Sequence, residues 1–274
     1  MEMAKTKLIK DKIFTIYCFI SLSFAILPLI HIVGTTLVRG IKAVSLEFFI
    51  SLPKPPGEVG GGIANAIEGS IILAALTMSF SIPVGILTAI YLSEYQDNWF
   101  RNLVRLLSDT FAGTPSIVAG VFAYSLIVRK FGFSAIAGAF ALSILAIPTI
   151  VRSSEEALKL VPIDVREAGL SLGAEKWKVI TKIVIRAARP GIITGILLAL
   201  ARIMGETAPL LFTAFGNPEF VRSPFEPVSA LPLVIYVYAT SPYPDWHQKA
   251  WGAALILMLM VLAINLAVKY KLRR

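Results

Sequence analysis

Two charged residues four positions apart, Arg202 and Glu206, interrupt an apolar stretch that covers residues 189–215. A charge at the centre of a membrane helix costs at least about 2.5–3.5 kcal/mol on insertion scales, and such charges usually face protein or water. An arginine and a glutamate at this spacing share one face of a helix and can neutralise each other. The pair therefore fits two interpretations, a packing ion pair between helices or a functional pair that serves passage through a membrane.

Small residues share the helical stripe of this pair. At 100° per residue the stripe lies within about 80°, and small side chains on it let neighbouring helices approach closely. The stripe consists of Gly191, Gly195, Ala199, Arg202, Glu206 and Pro209. The sequence thus predicts one helix over residues 189–215 that carries both charges.

The polar segment 152–189 is the second candidate functional region. Val161 and Pro162 favour a helix start, and Gly173 suits a left-handed C-terminal cap. A second helix is predicted from Ala174 to Arg189, with a basic stripe formed by Lys178, Lys182, Arg186 and Arg189. This helix fits either a solvated element near anionic lipid head groups or an element that docks a protein partner.

Motifs of catalysis and metal binding are missing from the chain. There is no Gly-x-x-x-x-Gly-Lys-Ser/Thr nucleotide loop, no Gly-x-Ser-x-Gly and no His-Glu-x-x-His. The one cysteine, Cys18, cannot form an intrachain disulfide, and the two histidines lie far apart. We therefore expect a subunit that is not an enzyme, holds no cofactor or metal, and draws its energy from a partner.

Composition places these residues in a membrane. Hydrophobic residues make up 56% of the 274 positions and charged residues 16%, against about a quarter charged in soluble domains. The net charge of +9 does not indicate nucleic acid, because the basic residues cluster at the ends of apolar runs. Runs long enough to cross roughly 30 Å of hydrocarbon predict six spans, at 13–38, 66–92, 110–128, 133–151, 189–215 and 249–268.

Orientation follows from the distribution of Lys and Arg. With a cytoplasmic N-terminus, the inner segments hold 18 of these residues and the outer segments 7. Positive charge accumulates on the cytoplasmic side, so both termini are expected there. The first run continues too far for a cleaved signal peptide, which indicates a retained span. The expected fold is therefore an all-α multi-pass protein of the cell membrane, a single membrane domain over residues 1–274.

A spacing within the polar segment resembles a known family. Glu167-Ala168-Gly169, three residues, Gly173, nine residues and then Ile183-Val184-Ile185 is similar to the Glu-Ala-Ala loop of ABC-type importer permeases. That loop reads Glu-Ala-Ala, three residues, Gly, nine residues, Ile-x-Leu-Pro, so this chain departs from it at Gly169, Ile185 and Arg186. The resemblance implies that Glu167, Ala168, Gly169 and Gly173 form a short coupling helix that seats in a cytoplasmic ATPase.

A narrower resemblance concerns residues 201–214, ARIMGETAPLLFTA, which look like the fifth-helix signature of the PstA family of phosphate ABC transporter permeases. The stretches TPSIV at 114–118 and LPLVIY at 231–236 are also similar to that family. The likeness covers about residues 66–268, the expected permease core. It implies a type I ABC importer architecture, phosphate as substrate, and Arg202 and Glu206 in the substrate pathway.

The resemblance also implies partners: a second, PstC-like permease, a dimer of PstB-like ABC ATPases in the cytoplasm and a PstS-like extracytoplasmic phosphate-binding protein. Three other interpretations stay open at this point. The chain could be the permease of another oxyanion such as sulfate or molybdate, a secondary transporter or channel without an ATPase, or a membrane-embedded enzyme. The polar segment 152–189 counts against the second, and the missing motifs count against the third.

Overall fold

The computed structural model describes residues 2–58, 60–95 and 98–273, and the side chains of these between residues 10 and 270. The described chain is helical, with an isolated β-bridge between Phe215 and Val228. Its helices, numbered here in chain order, are α1 Glu2–Ile41, α2 Leu46–Ile50, α3 Ala64–Glu94, α4 Trp99–Ala112, α5 Ser116–Phe131, α6 Ala135–Lys159, α7 Ile163–Ser171, α8 Lys176–Met204, α9 Ala208–Leu211, α10 Leu231–Ala239 and α11 Pro244–Arg273.

Five of these helices, α1, α3, α6, α8 and α11, are long and apolar enough to cross a membrane, and the bent pair α4–α5 makes a sixth possible span. The predicted all-α membrane fold with about six spans is confirmed. The prediction of a third span as one helix over residues 110–128 is wrong, because the chain bends by 106° between α4 and α5. Gly113 ends α4, and Pro115, whose ring excludes a helical hydrogen bond, precedes α5.

The predicted fifth helix over 189–215 is also wrong. α8 begins at Lys176 and ends at Met204, and the short helix α9 follows after a turn. A continuous helix would need a hydrogen bond from the backbone of Pro209 to the carbonyl of Gly205, which proline cannot donate. Glu206 therefore lies beyond the helix that carries Arg202, although the two side chains still meet.

The core of the bundle is formed by α3, α6 and α8, which pack closely at glycines. A Cβ atom placed on Gly191 would lie 2.5 Å from the Cβ of Ala157, and one on Gly195 would lie 2.5 Å from the Cβ of Ser153. The predicted small-residue stripe of α8 thus packs against α6, and Ala199 on the same stripe is fully buried. α3 approaches α6 in the same way, since a Cβ on Gly85 would lie 2.6 Å from Cγ2 of Ile150.

The bundle has two chemically different ends. We call the end with Glu94, Lys159 and α7 the basic end, and the end with residues 46–63 and 212–230 the loop end. At the loop end the backbone of residues 213–226 accepts hydrogen bonds from the start of α6, from Ser134 to Thr213 (3.0 Å) and from Ala135 to Glu226 (3.0 Å). The chain then turns back to α3, where the amide of Leu231 donates to the hydroxyl of Ser70 (2.8 Å).

The first helix, α1, stands largely apart from this bundle. Its most apolar window is wholly exposed in the isolated chain, and a side chain on Gly34 would touch nothing. Contact begins only near its C-terminal end, where Gly40 meets Leu255 and Trp251 of α11. The guanidinium of Arg39 lies 5.3 Å from the ring centre of Trp251, which adds a cation–π contact between the two helices.

Candidate functional site

Arg202 and Glu206 are brought together at the end of α8. The Nε of Arg202 lies 3.7 Å from Oε1 of Glu206, and the two side chains are 42% and 19% exposed. Arg202 belongs to the last turn of α8, where a cation is favoured by the negative end of the helix dipole. The predicted pairing is therefore present, but a turn and not a helix carries the carboxylate.

This ion pair lies well inside the length of the bundle. α8 runs antiparallel to α6, with Gly191 against Ala157 and Gly195 against Ser153. Continued for seven residues, this register places Arg202 level with Ala146 of α6, which at 1.5 Å of rise per residue lies about 16 Å from the start of that helix. A helix that spans the bundle thus stops part-way and presents a charged pair at that depth.

The face of α8 that bears Arg202 is left uncovered by this chain. Arg202, Leu198 and Thr194 are exposed at successive turns, whereas Ala199 and Ile203, which directly follow Leu198 and Arg202 in the chain, are buried. A guanidinium and a broken helix are costly in hydrocarbon and are tolerated where the surface meets protein or water. This face is therefore suited to a second protein or to an aqueous path, and poorly suited to lipid.

The broken segment is held by α5. Gly120 of α5 packs on the short helix α9 so closely that a Cβ there would lie 2.7 Å from the Cα of Pro209. Beyond α9 the backbone turns sharply, with φ of +63° at Phe215 and +93° at Gly216. The rings of Phe215 and Phe133 stack at 4.6 Å between centres, which fixes this turn against the end of α5. The segment that follows Glu206 is thus held against α5 and Phe133.

The second predicted region forms a helical hairpin at the basic end. α7 ends as expected before Gly173, whose φ is +79°, and α8 begins at Lys176. Glu167 and Ala168 point outward and are exposed, whereas Gly169 is buried. A Cβ on Gly169 would lie 3.0 Å from Val179 Cγ2 and 3.1 Å from Ile183 Cδ1, so the departure from Ala to Gly at this position lets α7 lie close to α8.

Large apolar side chains are exposed around this hairpin. Leu160 is 84% exposed, Leu172 88% and Trp177 56%, and Ile163 and Leu170 are exposed as well. A fully solvated hairpin would need few such residues next to its acidic and basic groups. Apolar residues grouped within a polar segment are typical of a surface that another protein covers.

Two ion pairs at the basic end were not predicted from the sequence. Arg166 of α7 pairs with Glu94 of α3 at 2.8 Å, and Glu155 of α6 pairs with Arg105 of α4 at 2.5 Å. The partners are 72 and 50 residues apart in the chain. Helical spacing relates only near neighbours, so no local pattern could have joined them.

Comparison with known proteins gives the family. Residues 81–274 match the model of the binding-protein-dependent transport system inner membrane component. The phosphate transport system permease protein PstA of Xylella fastidiosa strain Temecula1 is 44% identical over 273 residues, which is 98% of this chain and 94% of that protein. PstA of Yersinia pestis is 40% identical over 259 residues (94% and 88%), and PstA of Haemophilus influenzae is 44% identical over 250 residues (90% and 88%).

Solved structures share the fold at low sequence identity. The inward-facing MetNI methionine ABC transporter matches with a TM-score of 0.63 and 19% identity, over 77% of this chain and 94% of that one. A bacterial ABC transporter for the import of alginate matches with a TM-score of 0.60 and 15% identity, over 77% and 79%. The helices described above are thus arranged as in ABC importer permeases, and the chain belongs to the family of PstA phosphate transport system permease proteins.

Proposed function

We propose that this chain is the transmembrane permease subunit of an ATP-driven importer of inorganic phosphate, and that it forms half of the translocation pathway. The observation that carries the proposal is the Arg202–Glu206 pair, which stands part-way along the bundle at a break in α8, on a face that this chain leaves uncovered. The near full-length similarity to PstA proteins supports phosphate as the substrate.

The pair has a chemical reason to suit an anion in transit. Phosphate near neutral pH carries between one and two negative charges and must cross a region of low dielectric constant. A lone arginine would attract it strongly and could retain it, since passage needs sites that bind weakly enough to release. Glu206 partly cancels the field of Arg202, which leaves a site that the anion can both enter and leave.

The proposed complex contains three kinds of partner. A second, PstC-like permease would cover the face of α8 that bears Arg202. A dimer of PstB-like ATPases would bind the exposed apolar residues around α7, including Leu160 and Leu172. A PstS-like binding protein would deliver phosphate at the loop end. ATP-driven closure of the ATPases would then rock the two permeases between two states, which is alternating access powered from outside this chain.

The test is a double variant, Arg202→Met with Glu206→Gln, assembled with its partners in proteoliposomes. The two substitutions remove both charges together, so neither is left buried and unpaired. We expect normal assembly and a loss of import of labelled phosphate by more than about tenfold, since a site in a dry path loses one hydrogen-bonded charge worth at least about 1.4 kcal/mol.

The control is the exposed pair Arg152 and Glu156 on α6, replaced in the same way, which should import normally; the two side chains lie 3.7 Å apart and are 74% and 70% exposed. Near-normal import by the assembled Arg202/Glu206 double variant would leave the pair as packing. A wild-type complex that imports labelled sulfate or molybdate but no phosphate would instead contradict the proposed substrate.

A further inference from the structure

The guanidinium of Arg166 joins three helices at the basic end. Its Nη2 lies 2.8 Å from Oε1 of Glu94, and its Nε donates to Oε2 of the same carboxylate at 3.1 Å. Nη2 also donates to the carbonyl of Leu158 at 2.8 Å, and Nη1 donates to the carbonyl of Val161. One side chain of α7 thus binds the last residue of α3 and the C-terminal end of α6.

The site is built for an arginine. Two parallel hydrogen bonds to one carboxylate use the planar fork of the guanidinium, which a lysine cannot reproduce. The carbonyls of Leu158 and Val161 lie at the negative end of the α6 dipole, where a cation is favoured. The side chain of Glu94 is 6% exposed and that of Arg166 is 19% exposed, so water screens the pair little.

The connections of α7 differ in kind. α7 leans on α8 through Gly169, whose neighbours are the apolar ends of Val179 and Ile183. Residues 160–162 join α7 to α6 in the chain, whereas its connection to α3 is the hydrogen-bonded guanidinium. α3 and α6 form much of the buried core together with α8. When α7 moves, its apolar contacts can slide past one another. The directional, buried ion pair instead transmits the movement to the helices that the ion pair joins.

We propose that Arg166 is a positioning residue that makes α7 move together with the basic ends of α3 and α6. The inference rests on the proposed function, in which α7 receives the motion of the ATPase. Through Arg166 that motion would reach α3 as well, and not only α6 and α8, to which α7 is joined by the chain itself. Without the link, ATP hydrolysis would continue while the pathway opens less often.

The experiment measures ATP hydrolysed per phosphate imported, in proteoliposomes that contain the full complex with either Arg166→Gln or Arg166→Lys. For Arg166→Gln we expect at least about a fivefold rise in this ratio, the lower end of typical coupling energies. Arg166→Lys, which keeps the charge and loses the fork, should lie between Arg166→Gln and wild type. The matched control is Arg152→Gln at the same end, since Arg152 and Glu156 form an exposed pair at 3.7 Å.

An unchanged ratio in assembled Arg166→Gln would overturn the inference and leave the ion pair as a structural contact, because a purely structural defect lowers hydrolysis and import together. If Arg166→Gln does not assemble, Glu94→Gln tests the same ion pair, since it keeps the shape of the glutamate side chain and removes its charge. A rise in its ratio supports the link and an unchanged ratio refutes it. A wild-type complex that does not bind an ATPase or import phosphate would refute the proposed function itself, and this inference with it.

Discussion

Gly173 shows how a single residue can be required for its backbone alone. Its φ is +79°, a backbone conformation that residues with a Cβ atom rarely adopt. Around it the space is open, since a Cβ there would meet no atom within 4 Å. Its amide donates to Leu170 (2.9 Å) and the amide of Ala174 donates to Gly169 (3.3 Å), which closes α7. The constraint at this position is therefore conformational and not steric.

Gly173→Val should open this cap. A left-handed conformation costs a β-branched residue about 1–2 kcal/mol, so α7 should fray and the recovery of the ATPase in a pull-down should fall. Gly173→Asn is the matched control, because asparagine tolerates positive φ and the space accepts its side chain. The measurement compares both variants at equal membrane abundance. Undiminished recovery with valine would remove the cap from the docking mechanism.

Whether the role of a single residue can be predicted depends on how far apart in the chain its contacts lie. The cap at Gly173 could be predicted, because a helix end and its glycine are neighbours in sequence. Arg166 could not, since nothing near it in the chain hints at Glu94. Arg202 and Glu206 fall between these cases. Their pairing was predicted from spacing, but the turn that separates them was not.

The helices illustrate when proline breaks an apolar run. Pro28, Pro83, Pro148 and Pro190 lie inside helices that continue past them. Pro115 and Pro209 lie at breaks, and only these two of the six have a glycine within the four preceding residues. Proline removes one hydrogen bond, and glycine there lowers the cost of leaving the helix altogether. The apolar sequence continues across both breaks, so predictions based on the length of apolar runs could not detect them.

Gly191→Leu should separate α8 from α6. A Cβ at this position would already lie 2.5 Å from Ala157, so a leucine must push the helices apart, at about 1–3 kcal/mol for overpacking. We expect a lower unfolding temperature for the purified protein in detergent. Gly34→Leu in α1 is the control, because nothing lies within 4 Å of that position. Equal unfolding temperatures for the two variants would contradict the close packing of α8 on α6.

The molecule as a whole is polarised along its bundle. The basic end joins an exposed apolar hairpin to ion pairs that tie helices together. The loop end is built from backbone hydrogen bonds between residues 213–226 and the start of α6, and from the hydrogen bond of the Leu231 amide to the Ser70 hydroxyl of α3. Fold class could be predicted from the sequence, as could the pairing of Arg202 with Glu206 and the end of α7 before Gly173. The bend between α4 and α5 and the early end of α8 coincide with glycine and proline residues that predictions from apolar length ignore. The ion pairs between distant helices depend on tertiary contacts and could not be predicted.

Orientation can be tested in a background without the native cysteine, Cys18→Ser. A membrane-impermeant maleimide should label Pro56→Cys at the loop end in intact cells. Glu167→Cys at the basic end should react only after the membrane is opened, because Lys and Arg are concentrated on the cytoplasmic side. Both positions are exposed in the isolated chain, which makes them a matched pair. Labelling of Glu167→Cys in intact cells would reverse the proposed topology.

The isolation of α1 has a consequence for the order in which this protein is made. Over its apolar window no other part of the described chain buries the helix, so it can enter the membrane before the rest of the bundle has been synthesised. The packing of α1 on the rest of the bundle depends on a later part of the chain. Gly40 meets Leu255, and the carbonyl of Lys42 accepts a hydrogen bond from Gln248 at 3.0 Å, both on α11. α1 precedes the other described helices in the chain, so it must remain in the bilayer until the last described helix has been made before the two can pack together.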